Sequence, residues 1–442
     1  MTSETEPPVE ERLLQVLRRL DIDRAHFAAR SALDWSGFAG AHPDRIASLT
    51  LICPPGIDPE AIRPFSSRLL VITGDQGTPM EGLLRTVEGL PGAALKKLNG
   101  YFSPAWADIF TDRGEESAAA MEAFLKGWTP STEDKGTPTI SGDDDGEVAG
   151  ISYRVRGAGP PLVLLPLMLA PSQWAPVISR LSERFCTITL GGAALGFTAL
   201  LETRGRSAGY LGMVRNLLEE IRLREGETVL DVGCGTGVMD RWLARRTGGT
   251  NRIVAVDLSR HLLRDAADLA GKEGLGEVIE FREGSAEDLA FPDGRFDVTL
   301  SLTVMEELDA DRMLGELIRV TKPGGRIGVI VRAVDMPWWA NVPLEGDLRA
   351  KVQAPRGPVE KRGCADASLY RRFRDAGLRE VKSLPQSAAF SGPYWARVLD
   401  DRILPALDRE EAIAWRAALA RAEADGTFLY AAPHHCAVGT KP

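Results

Sequence analysis

The run Val229-Leu230-Asp231-Val232-Gly233-Cys234-Gly235-Thr236-Gly237 constrains this chain more than any other stretch. A short apolar run ends in a carboxylate, three alternating glycines follow, and Val238, Trp242 and Leu243 then recur at helical spacing. This predicts a strand that turns sharply into a helix. Glycines at the turn let the backbone come close to a ligand that carries charge or hydroxyls. A dinucleotide loop of the form G-x-G-x-x-G would need glycine at position 238, which is valine. Gly248-Gly249 stops the helix, and residues 253–256 read as a second buried strand that ends at Asp257. A carboxylate at that tip suits a ribose diol, because it accepts hydrogen bonds from both hydroxyls. The competing reading of Asp257 is a helix N-cap, a job for which Ser259 is also placed.

The pattern continues. Residues 278–281 read as a third strand, followed by Gly284-Ser285-Ala286-Glu287-Asp288-Leu289. A fourth strand at 298–302 leads into Thr303-Val304-Met305-Glu306-Glu307-Leu308. A helix with Met313, Leu314, Leu317 and Ile318 on one face comes next, and Lys322-Pro323-Gly324-Gly325 then turns into a strand at 326–331. In order and spacing, residues 204–335 resemble class I S-adenosylmethionine (SAM)-dependent methyltransferases.

The resemblance implies a Rossmann-like α/β domain over residues 201–442, with SAM as cofactor. It assigns the cofactor to Asp231, Gly233, Cys234, Gly235, Gly237, Asp257, Leu258, Ser285, Ala286, Glu287 and Leu302. In the family the third-strand loop usually carries an aspartate that contacts the adenine amino group. Ser285 stands there in this chain, which leaves that contact to the backbone of Ala286. Cys234 has two readings, a nucleophile or a small residue that fills a tight turn. The candidates for chemistry are His434 and His435 as a general base and Glu306 beyond the fourth strand. Glu306 has a competing reading as a helix-start carboxylate, and His261 reads as structural. Enzymes that methylate nucleic-acid amino groups commonly show N/D-P-P-Y/F after the fourth strand. Ser301-Leu302-Thr303-Val304 replaces it, and the net charge is −9, so a small-molecule acceptor is expected rather than nucleic acid.

A length of 442 residues favours two or three domains. No apolar run is long enough to span a bilayer, so no membrane partner is expected. The five cysteines have no metal-ligand spacing, which fits reduced thiols in a cytosol and no metal site.

The first 200 residues carry another pattern. Residues 25–55 read as strand, turn at Ser31, helix ending near His42-Pro43-Asp44-Arg45, and strand. These features, with 68–74, 97–101 and 121–127, resemble the C-terminal half of an α/β-hydrolase over residues 1–128. Residues 151–200 resemble its N-terminal half. Residues 129–150 between them, rich in Thr, Ser, Gly, Asp and Pro, read as a linker. The expectation is a circularly permuted α/β-hydrolase-like domain with one parallel sheet. The nucleophile elbow reads Ala29-Arg30-Ser31-Ala32-Leu33 without its glycines. Gly77 falls at the acid position with Asp75 nearby, Tyr101 falls at the histidine position, and Pro166-Leu167 replaces the oxyanion segment. His26 and His42 read as surface or turn residues. A non-catalytic accessory domain follows. The alternatives are an esterase-like hydrolase that uses Ser31 under SAM control, and a SAM-binding scaffold without chemistry.

Near the C-terminus, Trp338-Trp339 among prolines reads as an apolar loop that lines an acceptor pocket or packs on the core. Residues 394–425 read as one long helical insertion that would cap the pocket or mediate a homodimer.

Overall fold

The computed structural model describes residues 7–30, 35–76, 78–102, 108–127, 140–141, 143–355, 357 and 359–442. It divides into two compact units, residues 1–200 and 201–442.

The first unit is built on β1 (Ala25–Ala29), β2 (Ile46–Ile52), β3 (Leu69–Gln76), β4 (Ala94–Phe102), β5 (Asp144–Val148), β6 (Ile151–Arg156), β7 (Pro161–Leu164) and β8 (Cys186–Gly191). They form one sheet of order β4-β3-β2-β1-β7-β8-β6-β5. The pairs from β4 to β8 are parallel, and β6 and β5 add antiparallel. The two halves of the sequence therefore meet at β1 and β7, where Phe27 lies opposite Val163. Alternation sends Phe27, Leu49, Val71 and Val163 to one face, packed with Leu13 and Val16 of the helix Val9–Arg19. Ala28, Leu70, Ile72 and Leu164 go to the other face, with Met121 and Leu125 of the helix Ile109–Lys126. A sheet covered on both faces explains why these strands are near-continuous apolar runs.

Part of the expected linker is a strand. Asp144–Val148 forms the edge of the sheet, with Asp145 opposite Arg154 and bonded to Arg154 and Arg156 at 3.3 and 2.6 Å. The acidic run offsets cross-strand arginines, and charge on an edge strand discourages further pairing. Ser31, Gly77 and residues 128–139 lie outside the described residues. His26 is not a surface residue. It sits inside β1, 4% exposed, with Nδ1 2.7 Å from Ser48 Oγ, and burial, then the charge of Arg24, lowers its pKa to about 4. His42 follows the helix Ser36–Ala41 and packs on Phe38.

The second unit holds β9 (Val229–Val232), β10 (Ile253–Asp257), β11 (Ile279–Glu283), β12 (Phe296–Leu302), β13 (Thr321–Arg332), β14 (Trp339–Ala340), β15 (Arg379–Ser383), β16 (Gln386–Ser391) and β17 (Leu429–Thr440). The order is β11-β10-β9-β12-β13-β17-β14, with β15 and β16 also paired to β17. The first five strands are parallel and β17 is antiparallel to β13. Strand order reverses at β9, so the crevice lies outside the carboxyl ends of β9 and β12. This is a Rossmann-like α/β fold, and the first unit supplies a second α/β sheet.

The expected long helix at 394–425 is two helices, Pro393–Ile403 and Arg409–Ala424. Proline at 405 lacks the N–H needed to continue a helix, and Asp408 with Glu411 forms a capping box that starts a new one.

Candidate functional site

The glycine turn fits its sequence closely. Gly233 has φ 84°, and a Cβ there would overlap the Val304 side chain from the β12 loop. Gly233 N–H and Cys234 N–H both donate to Val256 O, at 2.7 and 3.1 Å, which seats the turn on the end of β10. Asp257 receives Gly235 N–H on Oδ2 and Ser259 N–H on Oδ1, each at 2.8 Å. Ser259, not Asp257, caps the helix Arg260–Lys272 through Leu262 N–H. Each Asp257 oxygen keeps a further lone pair. Leu258 beside it is 71% exposed, an apolar side chain held in water at the strand tip.

The cleft at the strand ends is lined by Arg204, Tyr210, Asp231, Gly233, Cys234, Gly235 and Leu302. Another surface cleft, at Asp311, Leu314, Ile318, Arg372 and Asp375, lies between the helices Ala310–Val320 and Ser368–Asp375. Ser285 Oγ accepts Glu287 N–H at 3.2 Å, which closes the third-strand loop, and Ala286 is buried above it. Glu287 turns its own carboxylate to Asp309 N–H at 2.8 Å.

The catalytic candidates separate. His434 and His435 are neighbours on β17, so they point to opposite faces. His434 meets the Tyr210 ring edge-on at 6.4 Å, on the side of the cleft. Its Nδ1 lies 3.0 Å from Ala432 O, an atom that only accepts, so Nδ1 carries the proton and Nε2 keeps a lone pair. Burial, assisted by the charges of Arg204 and Arg332, lowers its pKa to about 4. His435 Nε2 donates to Asp335 Oδ1 at 2.8 Å on the other face. Glu306 is 0% exposed and accepts Arg332 N–H at 2.6 Å. It lies in a turn, and the helix-start carboxylate is Asp309, which caps Ala310–Val320. Cys234 lies among Asp231, Asp240 and Asp257, and burial followed by these charges pushes its thiol well up. A protonated thiol among carboxylates is a turn filler, not a nucleophile.

A family model described as a methyltransferase domain matches residues 229–325, which run from β9 into β13. Residues 229–325 of the second unit thus form a methyltransferase domain. A ubiquinone/menaquinone biosynthesis C-methyltransferase of Hydrogenovibrio crunogenus is 35% identical over 117 residues, 26% of this chain and 46% of its own length. The methyltransferase GfsG of Streptomyces halstedii is 36% identical over 118 residues, 26% of this chain and 42% of its own length. The chain thus spans less than half the length of these two curated relatives. A SAM-dependent methyltransferase structure from Aquifex aeolicus is 20% identical, with 50% of this chain and 88% of that chain covered at a TM-score of 0.31.

Several residues of the methyltransferase domain escape sequence reading. Glu202, on the helix Gly196–Arg206, is 1% exposed and accepts Arg241 Nη2 and Thr236 Oγ1 at 2.6 and 2.7 Å. Arg241, equally buried, also donates to Thr236 O at 2.6 Å. This ion pair clamps the glycine turn from outside. In the sequence both look like ordinary helix charges, and only Thr236 inside the turn hints at a partner.

Asp231 and Asp240 form a second hidden feature. Both are buried and near enough to act on each other's charge, which favours the protonated acid. Burial, then the charges of Asp240 and Asp257, raises Asp231 well above the aspartate range. Burial pushes Asp240 up to about 7. Folding therefore takes up protons. The stability this contributes is whole below the ordinary aspartate pKa and is lost as pH rises through about 7. The melting temperature of ligand-free protein should fall from about pH 5 to about pH 8, and Asp240→Asn should flatten that slope in a calorimetric scan. An unchanged slope in the variant would remove the pair as its source.

Proposed function

We propose that this chain is a SAM-dependent methyltransferase acting on a small-molecule acceptor, with the first unit as a non-catalytic α/β-hydrolase-like accessory domain. The observation that carries the reading is the glycine turn beside Asp257, with its amides and spare lone pairs at the strand-order reversal. The residues fit the cofactor. A side chain at Gly233 would collide with Val304 and disturb the turn, and Asp231 Oδ1 is buried with no partner among the described residues. Asp231 would meet the amino group of the methionyl part, Arg204 its carboxylate, Asp257 the ribose diol and Leu258 the adenine face. Ala286 and Leu302 would line the adenine and methionyl sides.

When bound, SAM supplies an activated methyl group on a sulfonium. The chain must then orient the acceptor and exclude water, and proximity contributes much of the acceleration. His434 is neutral at pH 7 and lies against Tyr210, which lines the cleft, so it would take the proton that a hydroxyl or acidic carbon releases. Glu306 holds Arg332 in place. His435 with Asp335 ties β17 to the segment after β13. The name of the Hydrogenovibrio relative, a C-methyltransferase, supports a small-molecule acceptor. No helix among the described residues is long and apolar enough to cross a membrane. The same residues hold five cysteines without a disulfide, which supports a cytosolic location.

In the first unit, Tyr101 Oη donates to Asp112 at 2.9 Å at the strand end where the hydrolase pattern needs a histidine. This supports an accessory role over an esterase.

Calorimetric titration with SAM and S-adenosylhomocysteine, followed by a metabolite screen with labelled SAM, tests the proposal. Binding and one labelled product are expected. Absence of binding at millimolar ligand would sink it. Asp257→Ala should weaken SAM binding by more than about tenfold, roughly 1.4 kcal/mol. An unchanged affinity would displace the ribose site from β10.

A further inference from the structure

Three arginines from three separate elements converge on one face of the second unit: Arg204 from the helix Gly196–Arg206, Arg332 from the end of β13 and Arg402 from the helix Pro393–Ile403. Their charges bear on one another, since those of Arg204 and Arg332 both act on Arg402 and on His434. In a chain of net charge −9, such clustering runs against the overall sign.

Their partners differ. Arg332 is matched by Glu306 and by Glu307, the latter at 2.6 Å. Arg204 and Arg402 have no carboxylate within ion-pair distance among the described residues. Arg204 lies over the Tyr210 ring at 5.0 Å, lines the cofactor cleft and keeps Nε buried without a partner. Arg402 lies over the Trp338 ring at 5.5 Å. Trp338 in turn stacks on Tyr430 at 5.7 Å and 8°. Arg402 is exposed to solvent, with its guanidinium carried over that ring.

Neighbouring like charges without counter-charges repel one another, at a cost in free energy. A ligand anion removes that cost. A guanidinium carried over an aromatic ring is partly pre-organised for a forked bond to carboxylate or phosphate. SAM supplies one anion only, the carboxylate already assigned to Arg204, which leaves Arg402 unmatched. Tyr430 and His434 lie on one face of β17, so Arg402 stands on the same wall as the proton acceptor.

We propose that Arg402 recognises an anionic group on the methyl acceptor, so that the substrate is a carboxylate- or phosphate-bearing small molecule. This rests on the methyltransferase reading and narrows it. It also gives Trp338 a role, as the platform beneath the guanidinium.

The test uses the full chain saturated with S-adenosylhomocysteine. Benzoate, phenyl phosphate and uncharged benzamide are titrated calorimetrically. At least one of the two anions should bind about tenfold or more tighter than benzamide, roughly 1.4 kcal/mol. The tighter of the two tells carboxylate from phosphate. Arg402→Gln should abolish the preference, and Arg402→Lys should restore part of it. Both variants should keep the S-adenosylhomocysteine affinity and the melting temperature. Equal binding of benzamide and the anions overturns the proposal. So does a preference that survives Arg402→Gln, or no binding of any probe at roughly 10 mM. A chain that fails to bind S-adenosylhomocysteine refutes the methyltransferase reading itself, a separate and distinguishable result.

Discussion

Gly233→Val is expected to abolish SAM binding. The position has φ 84°, where a β-branched residue is strained, and the new Cβ would overlap Val304. Relief requires Gly233 to leave Val256 O or Val304 to leave the fourth-strand loop. Either shift moves the amides that face the ligand, and a displacement of about 1 Å at such a site costs roughly a hundredfold. Calorimetry should show no SAM binding at millimolar ligand, with circular dichroism confirming a folded chain. Gly235→Val, also at positive φ and close to Leu201, should impair binding less, because the Leu201 tip is free to turn. Tight binding in Gly233→Val would place the cofactor away from this turn.

Arg241→Met is expected to cost about 3–5 kcal/mol of stability, the usual result of stranding one member of a buried ion pair. Glu202 would remain 1% exposed with only Thr236 and the partly exposed Arg206 as partners. The double variant Glu202→Gln with Arg241→Met should recover part of the loss, since no full charge is then left buried. Denaturant melts measure both. A loss below about 1 kcal/mol in the single variant would mean that the pair is solvated and does not clamp the turn.

The parts of the second unit that sequence made legible are those where backbone geometry dictates composition. Gly233, Gly235 and Gly237 all adopt positive φ, a condition that glycine meets and valine does not. Buried parallel strands force the apolar runs of β9, β10 and β12. Pairings between distant segments leave no such mark. Nothing around Arg241 announces Glu202, and nothing around Arg402 announces Trp338. The histidine pair shows the limit from the other side. The sequence placed both beside the acceptor, and a two-residue alternation on β17 sends them to different faces. Asp144 and Asp145 were misread because an acidic run resembles a solvated linker until the arginines opposite it are known.

The first sheet places β1 in its middle although β1 comes from the first residues and its partner β7 from far along the chain. During synthesis, Ala25–Ala29 therefore waits at the ribosome with one ladder of amides and carbonyls bare until Pro161–Leu164 emerges. An open, largely apolar edge of that kind invites pairing with other nascent chains. Heterologous production should accordingly gain from slow expression or added chaperones, and severing the chain between the halves should leave two fragments that are soluble only when made together.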